Sequence, residues 1–214
     1  MPPRRAVPAD VEVLTGVLVR AFDDDPFINW LVRQDARRAE GMRWTFEVML
    51  RQLSSELNET YTNSELSACA IWKSPGQFKL PLLTQLRLLP AFARALGGAR
   101  IPRFLKLLDH MEKAHERLVP EPHFYLFVLG VEPSEQRRGL GGMLLGPVLA
   151  RCDQEQTRAF LETSRVENLP FYNRHGFEVA HVVERAGWPT LWLMVRKPGA
   201  AAGPHRERSV GSEG

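Results

Sequence analysis

Gln136-Arg137-Arg138-Gly139-Leu140-Gly141-Gly142 holds the residue types best suited to bind a phosphorylated ligand. It lies between a run that reads as a strand, His123 to Val131, and one that reads as a helix, Gly141 to Gln154. Glycines let backbone N–H groups approach an anion with no Cβ in the way. The N-terminus of the following helix adds uncompensated donors and a partial positive charge. Arg137 and Arg138 add full charges. A strand, a glycine turn and a helix in this order make a pyrophosphate cradle.

The spacing decides which phosphorylated group fits. A P-loop requires Lys-Ser or Lys-Thr after its second glycine, and none follows here. A dinucleotide fingerprint requires G-x-G-x-x-G, which Gly139, Gly141 and Gly142 do not complete, and Gly146 comes one position late. The pattern Gln/Arg-x-x-Gly-x-Gly/Ala is met by Gln136, Gly139 and Gly141. A second segment, Asn168-Leu169-Pro170-Phe171-Tyr172-Asn173-Arg174-His175-Gly176-Phe177, follows downstream. On these two landmarks the chain resembles the Gcn5-related N-acetyltransferase (GNAT) superfamily. Leu161-Glu162-Thr163-Ser164, Asn168 to Tyr172 and the ending Arg196 to Ala200 are similar to its puromycin N-acetyltransferase-like branch. The closeness covers residues 124–200. The earlier residues, which usually shape the acceptor pocket, share layout more than letters.

The resemblance implies an acetyl-CoA-dependent N-acetyltransferase in which an amine attacks the thioester directly. A small-molecule amine is the expected acceptor, with aminonucleosides or other antibiotics as examples. A protein or peptide acceptor, and a non-catalytic CoA-binding regulator, are the alternatives. In family terms, the backbone from Gln136 through Arg137, Arg138, Gly139, Leu140, Gly141 and Gly142 holds the pyrophosphate. The strand end Leu129-Gly130-Val131 offers its backbone to the pantetheine, and the N–H of Leu129 or Val131 polarises the thioester carbonyl. Asn168 contacts the cofactor's amide region or caps the helix that follows it. Tyr172 matches the family tyrosine that protonates the leaving thiolate.

The proton acceptor is read from the residues themselves. Alternation places Glu162 with Phe160 on one face of their strand, and Leu161 with Thr163 on the other. A carboxylate in so apolar a strand needs a reason. It either takes the amine proton or pairs with an arginine such as Arg165 or Arg174. His123, at the start of the cofactor strand, is a distant second base, and His115 reads as a core-edge histidine. Asp23-Asp24-Asp25 either lines the acceptor mouth or is simply solvated.

The elements that must position these groups follow from periodicity. Val11, Leu14, Leu18 and Phe22 mark a helix with Asp10 as its N-cap, ended by Pro26. Met42, Phe46, Met49, Leu50, Leu53 and Leu57 mark a second helix. Thr60 to Thr62 and Leu66 to Lys73 form a hairpin turning at Asn63-Ser64. Two helical runs, Leu82 to Leu96 and Ile101 to Leu118, read as an insertion of about 80–118. The remaining strands are His123–Val131, Ala159–Thr163, Phe177–Glu184 and Trp188–Arg196, with Pro147 expected to disturb the first turns of the intervening helix. The predicted fold is α/β (α+β): a mixed central sheet flanked by helices, splayed between its fourth and fifth strands, in one domain over 1–200.

Composition bounds the rest. The chain has 214 residues, 44% hydrophobic and 25% charged, with a net charge of +3. That charge suits a polyanionic cofactor and is weak support for nucleic acid. The N-terminus lacks a secretory apolar region, and no apolar run reaches the ~18 residues of a membrane helix. Two cysteines, Cys69 and Cys152, read as buried free thiols of a cytoplasmic protein. No histidine or cysteine shows metal-ligand spacing. The expectation is a monomer or homodimer with no metal, nucleic acid or membrane partner. Residues 201–214 are small, polar and charged, and read as a disordered tail.

Overall fold

The computed structural model describes residues 2–53, 59–77, 90 and 92–200. Seven strands form one sheet: β1 (Arg4–Arg5), β2 (Thr60–Thr62), β3 (Ala68–Lys73), β4 (Phe124–Val131), β5 (Ala159–Thr163), β6 (Phe177–Val183) and β7 (Leu191–Arg196). Their order is β1-β2-β3-β4-β5-β7-β6, and only the β4–β5 pair is parallel. The mixed sheet is the predicted one, extended by a two-residue strand at the N-terminus that periodicity cannot detect.

Six helices with both ends among the described residues flank it: α1 (Val11–Ala21), α2 (Pro26–Leu31), α3 (Arg38–Val48), α4 (Ile101–Leu118), α5 (Leu140–Gln154) and α6 (Leu169–Arg174). α5 and α6 cover one face, where Phe124, Leu126, Leu144, Leu145, Val148, Leu161, Phe177 and Met194 form a core. α1, α2, α3 and α4 cover the other, through Leu14, Leu18, Phe46, Ile71 and Val128 and through Leu107, Tyr125, Phe160 and Leu193. Coverage on both faces explains why β4 reads as an unbroken apolar run. No described helix is long and apolar enough to cross a membrane.

Several boundaries move for local reasons. Asp25 accepts a hydrogen bond from the Ile28 N–H at 2.9 Å with Pro26 just inside, so the acidic turn starts α2 as well as ending α1. Asp10 is not a side-chain cap of α1: its carboxylate takes the Val7 N–H and the Arg4 guanidinium, both at 2.8 Å. The first hairpin's turn is longer than Asn63-Ser64, because the Asn63 side chain accepts from the Ser67 and Ala68 N–H groups and holds β3 back to Ala68. β7 begins at Leu191 rather than Trp188, since Trp188 sits at the end of the turn through Gly187. α3 passes into a π-helical turn at Met49–Leu53. α5 runs through Pro147 without a break, so the expected disturbance does not end it. Of the run Leu82 to Leu96, residues 92–96 are helical and 82–89 and 91 lie outside the described residues, as do Leu57 and residues 201–214.

One feature of β4 shapes the site. β3 pairs Ile71 with Val128 but Trp72 with Leu126, leaving Phe127 as an extra residue in a β-bulge. Phe127 and Val128 both face the α1–α4 side, and Leu129 and Val131 face α5.

Candidate functional site

β4 and β5 pair only at Phe124↔Ala159, Tyr125↔Phe160 and Leu126↔Leu161. Beyond that, β4 has no neighbour on this side, while Glu162 and Thr163 continue on β7. The sheet therefore opens between residues 127–131 and residues 162–163. The Glu132 N–H goes to the Ser67 carbonyl on the β3 side, so alternation turns the Leu129 and Val131 peptide groups toward the opening. Gln136 sits at its head, its amide donating to the Val131 carbonyl at 3.3 Å.

The glycine turn stands next to this edge. Gly139 is the N-cap of α5 at φ 84°, a left-handed conformation that favours glycine, and a Cβ there would meet nothing. The N–H groups from Arg137 to Gly142 have no hydrogen-bond partner among the described residues. Arg137 is exposed at φ 63°, and Arg138 pairs with Glu135. The other two glycines act differently from the first. A Cβ on Gly141 would lie 3.1 Å from the Phe171 ring, and one on Gly142 2.8 Å from His175 Nε2. They let α5 pack against α6, which carries Tyr172. The cradle's open row of donors and its unfilled space at Gly139 fit a diphosphate.

Tyr172 is buried on the α5–α6 side of the opening, packed in the core that Leu129, Val131 and Phe171 border. Its hydroxyl has no hydrogen-bond partner among the described residues. Burial, and next the Asp25 carboxylate, push its pKa well above the usual tyrosine value, so the phenol holds its proton. Asn168 does not cap α6; its side chain donates to Thr163 Oγ1 at 3.2 Å and braces the end of β5.

Glu162 lies on the opposite face, as alternation predicts. Burial lifts its pKa to about 7, against the pull of a hydrogen bond from the Tyr125 hydroxyl and of the Lys73 charge. Neither arginine proposed as its partner reaches it: Arg165 pairs with Asp24 at 2.5 Å and stands 3.9 Å from Asp25. A carboxyl that titrates near neutrality is suited to accept a proton from an ammonium group.

The loop between α1 and α2 closes over the exit of β5. Asp25, buried, accepts from Ser164 Oγ at 2.7 Å, which sequence reasoning missed, although an Asp before Pro is itself an N-cap signal. Trp30 Nε1 donates to the Gly187 carbonyl at 2.6 Å, and the Trp30 and Trp188 rings lie 6.5 Å apart. The α1–α4 side is thus walled by aromatic groups from α2 and the β6–β7 turn. His123 is not brought to the opening. It precedes the far end of β4, where it hydrogen-bonds His115 and the Glu121 carbonyl. His115, stacked on Phe160 at 3.9 Å, is a core histidine driven by burial down to about 3. Glu132 is a turn residue held by Arg20.

Residues 115–194 match the acetyltransferase (GNAT) domain family. An uncharacterized N-acetyltransferase of Schizosaccharomyces pombe is 26% identical over 217 residues, covering 92% of this chain and 84% of the relative. A Corynebacterium glutamicum structure, described as histone acetyltransferase HPA2 and related acetyltransferase, matches with a TM-score of 0.65 at 23% identity over 95% of this chain and 98% of its own. A Drosophila melanogaster polyamine N-acetyltransferase matches with a TM-score of 0.56 at 16% identity over 91% and 98%. The two structural likenesses speak for the fold, and the family match for the chemistry. Residues 115–194 thus match the GNAT acetyltransferase family, and the chain as a whole is similar to N-acetyltransferases.

Proposed function

We propose that this chain acetylates the amine of a small molecule, with Glu162 as proton acceptor and Tyr172 as proton donor. The carrying observation is that these two side chains flank one opening in the sheet from opposite faces. Acetyl-CoA, when bound, supplies a thioester carbonyl open to attack. The N–H groups of 137–142 and the Arg137 side chain hold its diphosphate. The peptide groups of Leu129 and Val131 take the pantetheine as a sheet edge takes an added strand, and one of their N–H groups polarises the carbonyl. Glu162 takes the proton of the incoming ammonium from the α1–α4 side. Tyr172 gives its proton to the departing sulfur from the α5–α6 side.

The tie from Trp30 to Gly187 draws the β6–β7 turn onto α2, which supports a small acceptor over a peptide lying across the sheet. Aminonucleosides are among the candidates. The agmatine- and polyamine-acetylating neighbours extend the set to other small cationic amines.

The test is CoA release from acetyl-CoA against a panel containing puromycin, polyamines, amino acids and a lysine peptide. Release with a small amine and not the peptide supports the reading; release with the peptide alone overturns the acceptor class. Silence across the panel with acetyl-CoA still raising the melting temperature would favour a CoA-binding regulator.

A further inference from the structure

Lys73 ends β3, and its cross-strand neighbour on β4 is Tyr125. It is 7% exposed, and its ammonium lies 4.8 Å from the centre of the Phe127 ring. It makes no ion pair and no hydrogen bond among the described residues, and the ring contact is its one specific partner there. Tyr125, Phe127 and Glu162 share its face of the sheet. The Tyr125 hydroxyl donates to Glu162, and the Lys73 charge acts on the same carboxyl without touching it.

A buried ammonium without a contacting anion is costly, and a ring face repays only part of that cost. Glu162 does not serve as a permanent counter-ion. In the proposed reaction it becomes neutral on taking the ammonium proton, just when Lys73 most needs an opposite charge. An anion brought by the acceptor compensates Lys73 before, during and after that proton transfer. The two groups also form a fixed dipole, with a proton-accepting carboxyl at one end and a cation at the other. Its complement is a molecule carrying an amine and an anion a short distance apart.

We propose that Lys73 binds a carboxylate of the acceptor, and that the acceptor is an amino acid or an amine with a neighbouring carboxylate. This rests on the acetyltransferase reading of the same opening. The arginines elsewhere on this side are turned to protein oxygens: Arg100 to the Trp30 and Val32 carbonyls, Arg103 to the Trp30 carbonyl with its Nε left over, and Arg165 to Asp24.

The experiment compares matched acceptors: amino acids, their amides and the decarboxylated amines, with wild type, Lys73→Met and Lys73→Arg. Wild type should favour the carboxylate-bearing member by about 10- to 100-fold in kcat/KM, the loss expected for one charge-assisted contact. Lys73→Met should bring that ratio to about one, and Lys73→Arg should restore most of it. A retained melting-temperature rise with acetyl-CoA shows that each variant is folded and binds cofactor. In parallel, calorimetry measures binding of the N-acetylated amino acids and their amides, which needs no turnover. Carboxylate-dependent binding lost in Lys73→Met supports the assignment even if no amine is acetylated, in which case the transferase reading alone fails. Turnover with no carboxylate preference, or a preference unchanged in Lys73→Met, overturns the assignment and leaves the transferase reading intact.

Discussion

Replacing Glu162 with Gln should remove activity and raise stability together. In the fold, burial lifts this carboxyl from 4.5 to about 7. A raised carboxyl pKa means that the folded state favours the protonated form. Its contribution is whole below the ordinary carboxylate value and is lost as pH rises through about 7. A gap of roughly 2.5 pH units at about 1.4 kcal/mol each comes to about 3.5 kcal/mol. Gln keeps the size and the hydrogen-bonding capacity toward Tyr125, and carries no charge to desolvate. Glu162→Gln is therefore expected to be about 3.5 kcal/mol more stable at and above neutrality, and similar to wild type in acid. His115 acts in the opposite sense. Burial lowers it to about 3, so its contribution is whole above the ordinary histidine value and is lost as pH falls. In wild type the two slopes offset each other between roughly pH 6.5 and 4.5. In Glu162→Gln the slope of the histidines, about 1.4 kcal/mol per pH unit for His115 with His123 acting in the same sense, is no longer offset. Urea unfolding across that window reads both effects. The same variant should lose the acid limb of kcat/KM near pH 7, with a fall of about 10²- to 10⁴-fold at the optimum. Equal stability of the two proteins at neutral pH would refute the desolvation argument. An unchanged acid limb would remove Glu162 as proton acceptor.

Tyr172→Phe should lower kcat by about 10²-fold or more and leave the acetyl-CoA thermal shift intact; undiminished turnover would end its role as proton donor. Gly130→Ala should cost about 1–3 kcal/mol in urea unfolding, because a Cβ there would stand 2.5 Å from Leu18 Cδ2 and push α1 off β4. Asp153→Ala should cost about 1–3 kcal/mol, since it removes the carboxylate held at 2.8 and 2.9 Å and leaves the buried Arg196 guanidinium only the His175 and Ala200 carbonyls. Arg196 and the Gly199 N–H hold Asp153 below the usual carboxylate range. Its contribution is therefore present at neutral pH and lost as pH falls, and acid titration of wild type against the variant checks the sign. Gly139→Ala should weaken acetyl-CoA binding more than it lowers stability, because at φ 84° the strain, about 1 kcal/mol, falls in the cradle.

What the sequence made legible, and what it did not, divides along physical lines. The glycine turn, β4, β5 and α6 were readable because their spacing is local: glycines against a helix start, and period-two alternation that put Glu162 opposite Leu161. The arginine partners proposed for Glu162 were not found, and Tyr125 and Lys73 stand there instead. Both reach it across strands from distant positions, and no local period encodes that pairing. α2 escaped periodicity because six residues are too short to show a stripe, although Asp25-Pro26 announces its start. The division of labour among the glycines was also hidden. Only packing distances separate Gly139, which frees space, from Gly141 and Gly142, which fit Phe171 and His175.

The extra residue at Phe127 has an arithmetic consequence. Strand side chains obey odd and even counting, and one inserted position exchanges the two. Upstream of it, even-numbered β4 residues face α5; downstream, odd-numbered ones do. β4 changes parity once, just where it loses β5 as a neighbour. A single-residue deletion between Tyr125 and Val128 would undo that change. Either the apolar half or the half bordering the opening would then point its side chains the wrong way. This short segment should therefore tolerate substitutions of side-chain size far better than any change of length, and proteins built on the same plan should differ there in letters and agree in count.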